Sequence, residues 1–138
     1  MKNILLSAIA LTIVLFFTAT TRAQETKKNN YVVLTKKIPQ LQPILLTAET
    51  LKKEDDNAFG DFQVIICGKT VNQLSNKELM DKFIEKAKTI NVKIVVCGLS
   101  LKKFKIDKSI VPKSIEVVKN GLLYDFRLQE KGYLSIEL

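Results

Sequence analysis

The sequence predicts an α/β domain of three layers, α/β/α, around a mainly parallel five-stranded sheet. Three observations carry this. Short runs of β-branched residues recur along the chain, stretches of helical periodicity separate them, and two of the runs are near duplicates that stop on glycine: Val64-Ile65-Ile66-Cys67-Gly68 and Ile94-Val95-Val96-Cys97-Gly98. Such alternation implies a parallel sheet with helices on both faces, because right-handed crossovers leave few other arrangements.

The elements follow in the order β-α-β-α-β-turn-β-α-β. Tyr31-Val32-Val33-Leu34 reads as the first strand, and Lys36 to Gln42, with Pro39, as a loop. Pro43 suits the first turn of a helix running to about Lys53, with Ile44, Leu45, Ala48 and Leu51 inward. Glu54 to Gly60 is a polar turn and Phe62 to Cys67 the second strand. Ser75-Asn76-Lys77-Glu78 has the form of a capping box, in which the Ser hydroxyl and the Glu carboxylate satisfy exposed amides reciprocally. It opens a helix with Leu79, Met80, Phe83, Ile84 and Ala87 at helical spacing, which Asn91 can close. Val92 to Cys97 is the third strand, Ser100 to Phe104 a helical turn, and Ile115 to Val118 the fourth strand. Asn120 starts a last helix, apolar at Leu122, Leu123, Phe126 and Leu128, which stops at Gly132 before a final strand, Tyr133 to Leu138.

The amino-terminal residues read as a separate unit. Lys2 precedes an apolar run from Ile4 to Phe17, and Thr21-Arg22-Ala23 places small residues where a signal peptidase reads them. Residues 1–23 are therefore expected to be a cleavable signal peptide, 24–30 a flexible lead-in, and 31–138 the domain. An apolar run of about 14 residues falls short of the roughly 20 that a spanning helix needs, so no stable membrane anchor is expected after cleavage. Setting aside Lys2 and Arg22 leaves 20 of the 22 basic residues against 14 acidic ones, a net charge of +6. The lysines are scattered singly or in pairs such as Lys36-Lys37 and Lys102-Lys103, the pattern of a solvated surface, and no nucleic-acid role is expected.

Missing residue types narrow the chemistry. The sequence has no histidine, so neither a Ser-His-Asp nor a Cys-His pair can be built, and a zinc site would have two thiolates without an imidazole. No glycine-rich phosphate loop follows a strand. No metal and no cofactor are expected; what remains is thiol chemistry, or none.

Both cysteines fall at the carboxyl ends of strands, the edge where ligands gather in open α/β sheets. Cys97 is followed by Gly98-Leu99-Ser100 and a helical turn, so the amides of Gly98 to Ser100, the Ser100 hydroxyl and the nearby Lys102 are candidates to hold a thiolate. Cys67 has Lys69 close by and no obvious helix after it. Cysteine is also a small apolar residue often found buried, so space-filling is the plain alternative for each. If the second and third strands are neighbours, about 4.8 Å apart, the thiols can meet and form a disulfide, which needs Cα atoms roughly 4.4–6.8 Å apart. If the first strand lies between them, they cannot.

Val95-Val96-Cys97-Gly98-Leu99-Ser100-Leu101, Val118-Lys119-Asn120-Gly121-Leu122 and Leu128-Gln129-Glu130-Lys131-Gly132-Tyr133 together resemble the DsrE/DsrF-like family of small α/β proteins. The resemblance covers about Tyr31 to Leu138. It implies the family's fold, a tendency to form homo-oligomers and, from members of intracellular sulfur relays, a persulfide carried on the cysteine that matches Cys97 and passed to a partner. This chain differs from those members in its signal peptide and in a second cysteine at the end of the second strand.

Two functions are therefore expected to compete. In the first, an exported protein, periplasmic or secreted by a bacterium, carries sulfur or works in thiol redox chemistry, with Cys97 as nucleophile, Cys67 resolving, and Gly98, Ser100, Lys69 and Lys102 stabilising charge; its partners are a sulfur donor or acceptor protein. In the second, a non-catalytic homo-oligomeric binding module uses both cysteines structurally.

Overall fold

A computed structural model describes residues 27–138. The signal peptide assigned to residues 1–23, and residues 24–26 of the lead-in, lie outside the described residues.

Five parallel strands form one sheet: β1 (Asn29–Thr35), β2 (Phe59–Ile66), β3 (Val92–Cys97), β4 (Glu116–Val118) and β5 (Tyr133–Glu137), in the order β4-β3-β2-β1-β5. The helices are α1 (Leu41–Asp55), α2 (Lys77–Ile90), α3 (Gly98–Lys103) and α4 (Gly121–Glu130). The fold is α/β with an all-parallel sheet, as the alternation predicts. Strands β1 to β4 step in one direction across the sheet, and the last step runs back from β4 to β5 on the far side of β1. A right-handed connection in the reverse direction must use the opposite face. That is why α4 is separated from α1 and α2 by the sheet and touches β1, β2, β3 and β5 as it crosses.

Alternate strand residues feed the two sides, as the two-residue period of a strand requires. Val33, Val64, Ile66, Ile94 and Val96 join Leu41, Ile44, Leu45, Met80 and Phe83 of α1 and α2 in the larger core. Val32, Leu34, Ile65, Val95 and both cysteines form the smaller core with Leu128 of α4. The thiols therefore belong to the side that one helix covers.

Local signals decide most element ends. Asn91 closes α2 in the left-handed conformation, φ 60° and ψ 43°. Asn120 caps α4, its side chain accepting from the amides of Leu122 and Leu123. Three expectations need correction. The cap of α2 is Asn76, whose Oδ1 accepts from the Leu79 amide at 3.0 Å, and not Ser75, which sits in the preceding 3₁₀ segment Lys69–Ser75. Asn29 and Asn30 are part of β1 rather than a loose lead-in, since Asn30 accepts from the Asp61 amide and Asn29 donates to the Asp55 carboxylate. Finally, β2 starts at Phe59, taking in part of the expected turn, because Asn30 packs over Gly60, where a Cβ would meet its Oδ1 at 2.1 Å. Among the described residues, no helix is long and apolar enough to cross a membrane.

Candidate functional site

Pairing of β2 with β3 in the register Ile66↔Val96 sets Cys67 beside Cys97 at the next position, with no strand between them. Both are free thiols, 6% and 4% exposed. They sit at the inner wall of a cleft of about 380 Å³ at the carboxyl edge of the sheet, bordered by Lys36, Lys103, Phe104 and Leu122.

The surroundings of the two sulfurs differ. Cys97 immediately precedes α3, and its sulfur also faces the first residue of α4, whose amide, on Gly121, donates to it at 3.2 Å. The hydroxyl and amide of Ser100 face the same sulfur without closing a full cap on α3. Ser100 Oγ accepts from the Gly68 amide at 2.9 Å, which leaves its own proton for the thiolate. Burial pushes the Cys97 thiol up, but Ser100, Gly121 and the Cys67 thiol together outweigh it, and the net displacement is downward. Cys67 is held the other way. Burial, then the neighbouring Cys97 sulfur, push it up to about 12, against a smaller pull from Lys36. One thiol is thus prepared to ionise while its neighbour keeps a proton to donate.

Glycine makes this contact possible at two places. A Cβ on Gly121 would stand 2.6 Å from Cys67 Sγ, and one on Gly98 would stand 2.9 Å from the Val118 carbonyl. Gly98 thus serves by letting the end of β4 approach; the amides that act on Cys97 are those of Ser100 and Gly121. Lys69 and Lys102, the expected electrostatic helpers, border neighbouring depressions, while Lys36 and Lys103 border the cleft itself. The Lys36 ammonium is paired with the Glu137 carboxylate on β5.

No protein-family model matches the chain, and no curated protein does. Solved structures resemble it in fold, two proteins of unknown function among them. A protein of unknown function from Methanobacterium thermoautotrophicum aligns with a TM-score of 0.58 at 16% identity, over 80% of this chain and 100% of that one. A conserved protein of unknown function from Bacteroides thetaiotaomicron aligns with a TM-score of 0.61 at 16% identity, over 80% of this chain and 95% of that one. Their likeness to this chain establishes the α/β architecture.

Sequence reasoning places Cys67, Cys97 and Ser100 at this edge, where the structure also puts them, and does not bring Lys36, Lys103 or Gly121 there. Gly121 carried a signal, a residue without a side chain directly after the Asn120 cap. Lys36 and Lys103 carried none, since only the fold brings them to the thiols.

Proposed function

We propose that the chain is a thiol-dependent sulfur carrier or thiol redox protein of the DsrE/DsrF-like kind, acting through Cys97. The observation that carries this reading is the unequal pair: a Cys97 sulfur served by the Gly121 amide and by Ser100, against a Cys67 sulfur that keeps its proton. Reactive thiols are those whose surroundings favour the anion. Cys97, Leu99, Ser100, Asn120 and Leu122, from the segments that resemble the family, border the cleft. The signal-peptide pattern through Ala23 supports export.

The Cys97 thiolate attacks a sulfane sulfur of a polysulfide. One S–S bond of the donor breaks, the shortened polysulfide leaves with the electron pair, and a new S–S bond makes Cys97 a persulfide. An acceptor thiolate that attacks the outer sulfur regenerates the Cys97 thiolate. If Cys67 attacks the inner sulfur instead, its proton leaves with the departing hydrosulfide and a Cys67–Cys97 disulfide remains. The test is intact mass after incubation with a polysulfide. One added sulfur on the protein, abolished in Cys97→Ser, is expected; no addition, or undiminished addition in Cys97→Ser, overturns the reading.

A second reading, a non-catalytic homo-oligomeric binding module, is favoured by one observation. Leu122 and Phe126 on α4 and Leu134 on β5 are 55%, 60% and 65% exposed, an unusual display of large apolar side chains. If the cysteines serve only structure as a disulfide, Cys67→Ser and Cys97→Ser lower stability alike, by about 2–5 kcal/mol. Two titratable thiols on the denatured protein, with Cys97 the faster to react in the native one, count against it.

A further inference from the structure

The lysines that the sequence scatters are gathered by the topology. All five strands point the same way, so the segments after β1, β2, β3 and β4 open on one rim of the sheet. Three adjoining depressions run along it. The first, about 610 Å³, is bordered by Lys36, Lys37 and Lys69. The middle one is the thiol cleft, with Lys36 and Lys103; it shares Lys36 with the first and Leu99 with the third. The third, about 530 Å³, is bordered by Lys102, Lys108 and Lys119. Among the described residues, no aspartate or glutamate borders any of the three. Of these lysines, only Lys36 is in a salt bridge among the described residues; elsewhere Lys53, Lys77, Lys86 and Lys93 are paired with carboxylates while Lys82, Lys88, Lys113 and Lys131 are not, so what sets the rim apart is the gathering of its lysines around hollows without a carboxylate.

We infer that this rim is the docking surface for an acidic polypeptide segment of a partner protein, which lies across the three depressions and brings a sulfur to Cys97. The inference rests on the sulfur-carrier reading for what the partner delivers. Uncompensated lysines on both sides of the thiols provide charge complementarity, which sets partner choice and association rate. The floor between them is apolar, at Pro39 and Pro43 on one side and Ile106 and Val117 on the other, and suits the aliphatic parts of peptide side chains. Single-stranded nucleic acid is held by stacking bases on aromatic rings, and among the described residues Phe104 is the one ring bordering the three depressions. A bilayer meets projecting surfaces, whereas these lysines border hollows.

The experiment is fluorescence anisotropy of a labelled synthetic peptide with a central cysteine flanked by glutamates, titrated with the protein at low and at physiological ionic strength. The same peptide with lysines for glutamates, a single-stranded oligonucleotide and vesicles containing anionic phospholipid run in parallel. The glutamate peptide is expected to bind, to weaken with salt, and to lose about tenfold or more in affinity in the triple variant K37E/K108E/K119E. The variant K53E/K88E/K131E, which makes the same charge change at the ends of α1, α2 and α4, is expected to keep it. Absence of binding, equal loss in the two triple variants, or tighter rim-dependent binding of the oligonucleotide or the vesicles overturns the inference. Binding is also measured on Cys97→Ser, which keeps the rim. Peptide binding retained there, together with no sulfur uptake by the parent protein, overturns the carrier reading and upholds the docking surface.

Discussion

The backbone amide of Gly121 donates to the sulfur of Cys97 at 3.2 Å, and it can do so only because Gly121 has no side chain. A Cβ there would lie 2.6 Å from Cys67 Sγ and 3.0 Å from Cys97 Cβ. Gly121→Ala therefore has to lift the start of α4 or part the sulfurs. Its cost is expected at about 1–3 kcal/mol, the range for overfilling a packed interior, read from the urea midpoint. Alkylation of Cys97 should also shift to higher pH as the amide withdraws. An alanine variant with parental stability and parental alkylation would show that the contact does not constrain the site.

Ser100 joins the strand ends through one hydroxyl. It accepts from the Gly68 amide and faces the Cys97 sulfur. Ser100→Ala leaves that amide without its partner, at an expected cost of about 1–3 kcal/mol. It also removes a group that lowers the Cys97 thiol. The pH at which iodoacetamide reaches half its maximal rate on Cys97 should rise, and an unmoved midpoint would remove Ser100 from the chemistry.

Stability in alkali follows from the raised groups. Cys67 is pushed from 9.0 to about 12 by burial and by Cys97. Tyr133 is pushed from 10.0 to about 12 by burial and by its hydrogen bond to Asp61. The unfolded chain loses these protons first and so binds fewer of them over this range; stability contributed by the two groups is full below their unfolded values and falls as pH rises through about 12. Cys67→Ser and Tyr133→Phe should each flatten the fall between about pH 9 and 12 in urea titrations. Cys97 has the opposite sign. Its contribution is present above the unfolded thiol value and lost as pH falls through the lowered folded value, so Cys97→Ser should flatten the profile on the neutral side of 9.0.

Helix caps separate stability from reactivity. Asn76→Ala removes the cap of α2, far from the thiols, and is expected to cost about 1 kcal/mol with no change in Cys97 alkylation, while Ser75→Ala is close to neutral. Asn120→Ala is expected to cost a similar amount, about 1 kcal/mol, and to slow Cys97 as well, because Asn120 holds the turn that presents the Gly121 amide. Thermal melts and alkylation rates on the three variants distinguish these outcomes.

How legible the sequence was depended on distance along the chain. Asn91 and Asn120 are legible in the sequence because a left-handed closure and an Asn cap are decided within a few residues. Ser75 and Asn76 are both able caps one position apart, and the choice lay in where the backbone turns, at φ −75° and ψ 92° on Asn76. Leu122, Leu123, Phe126 and Leu128 all read as apolar helix, yet only Leu128 is buried, because a single helix on that face lays one side against the sheet. Lys69 and Lys102 are neighbours of the thiols in sequence. Their backbone positions aim them into other hollows, while Lys36 comes from the end of a different strand.

Alone, the sequence determined the strands, the order of elements, the parallel sheet and the placing of two cysteines at strand ends, since β-branched runs, helical periodicity and caps are local. Tertiary structure decided that the thiols face each other, that one is favoured as an anion and the other as an acid, and that scattered lysines share a rim. Those are matters of which segments become neighbours. The reverse crossover that sends α4 over the second face, and with it Gly121 onto Cys97, joins residues 24 positions apart that carry no mark of their meeting.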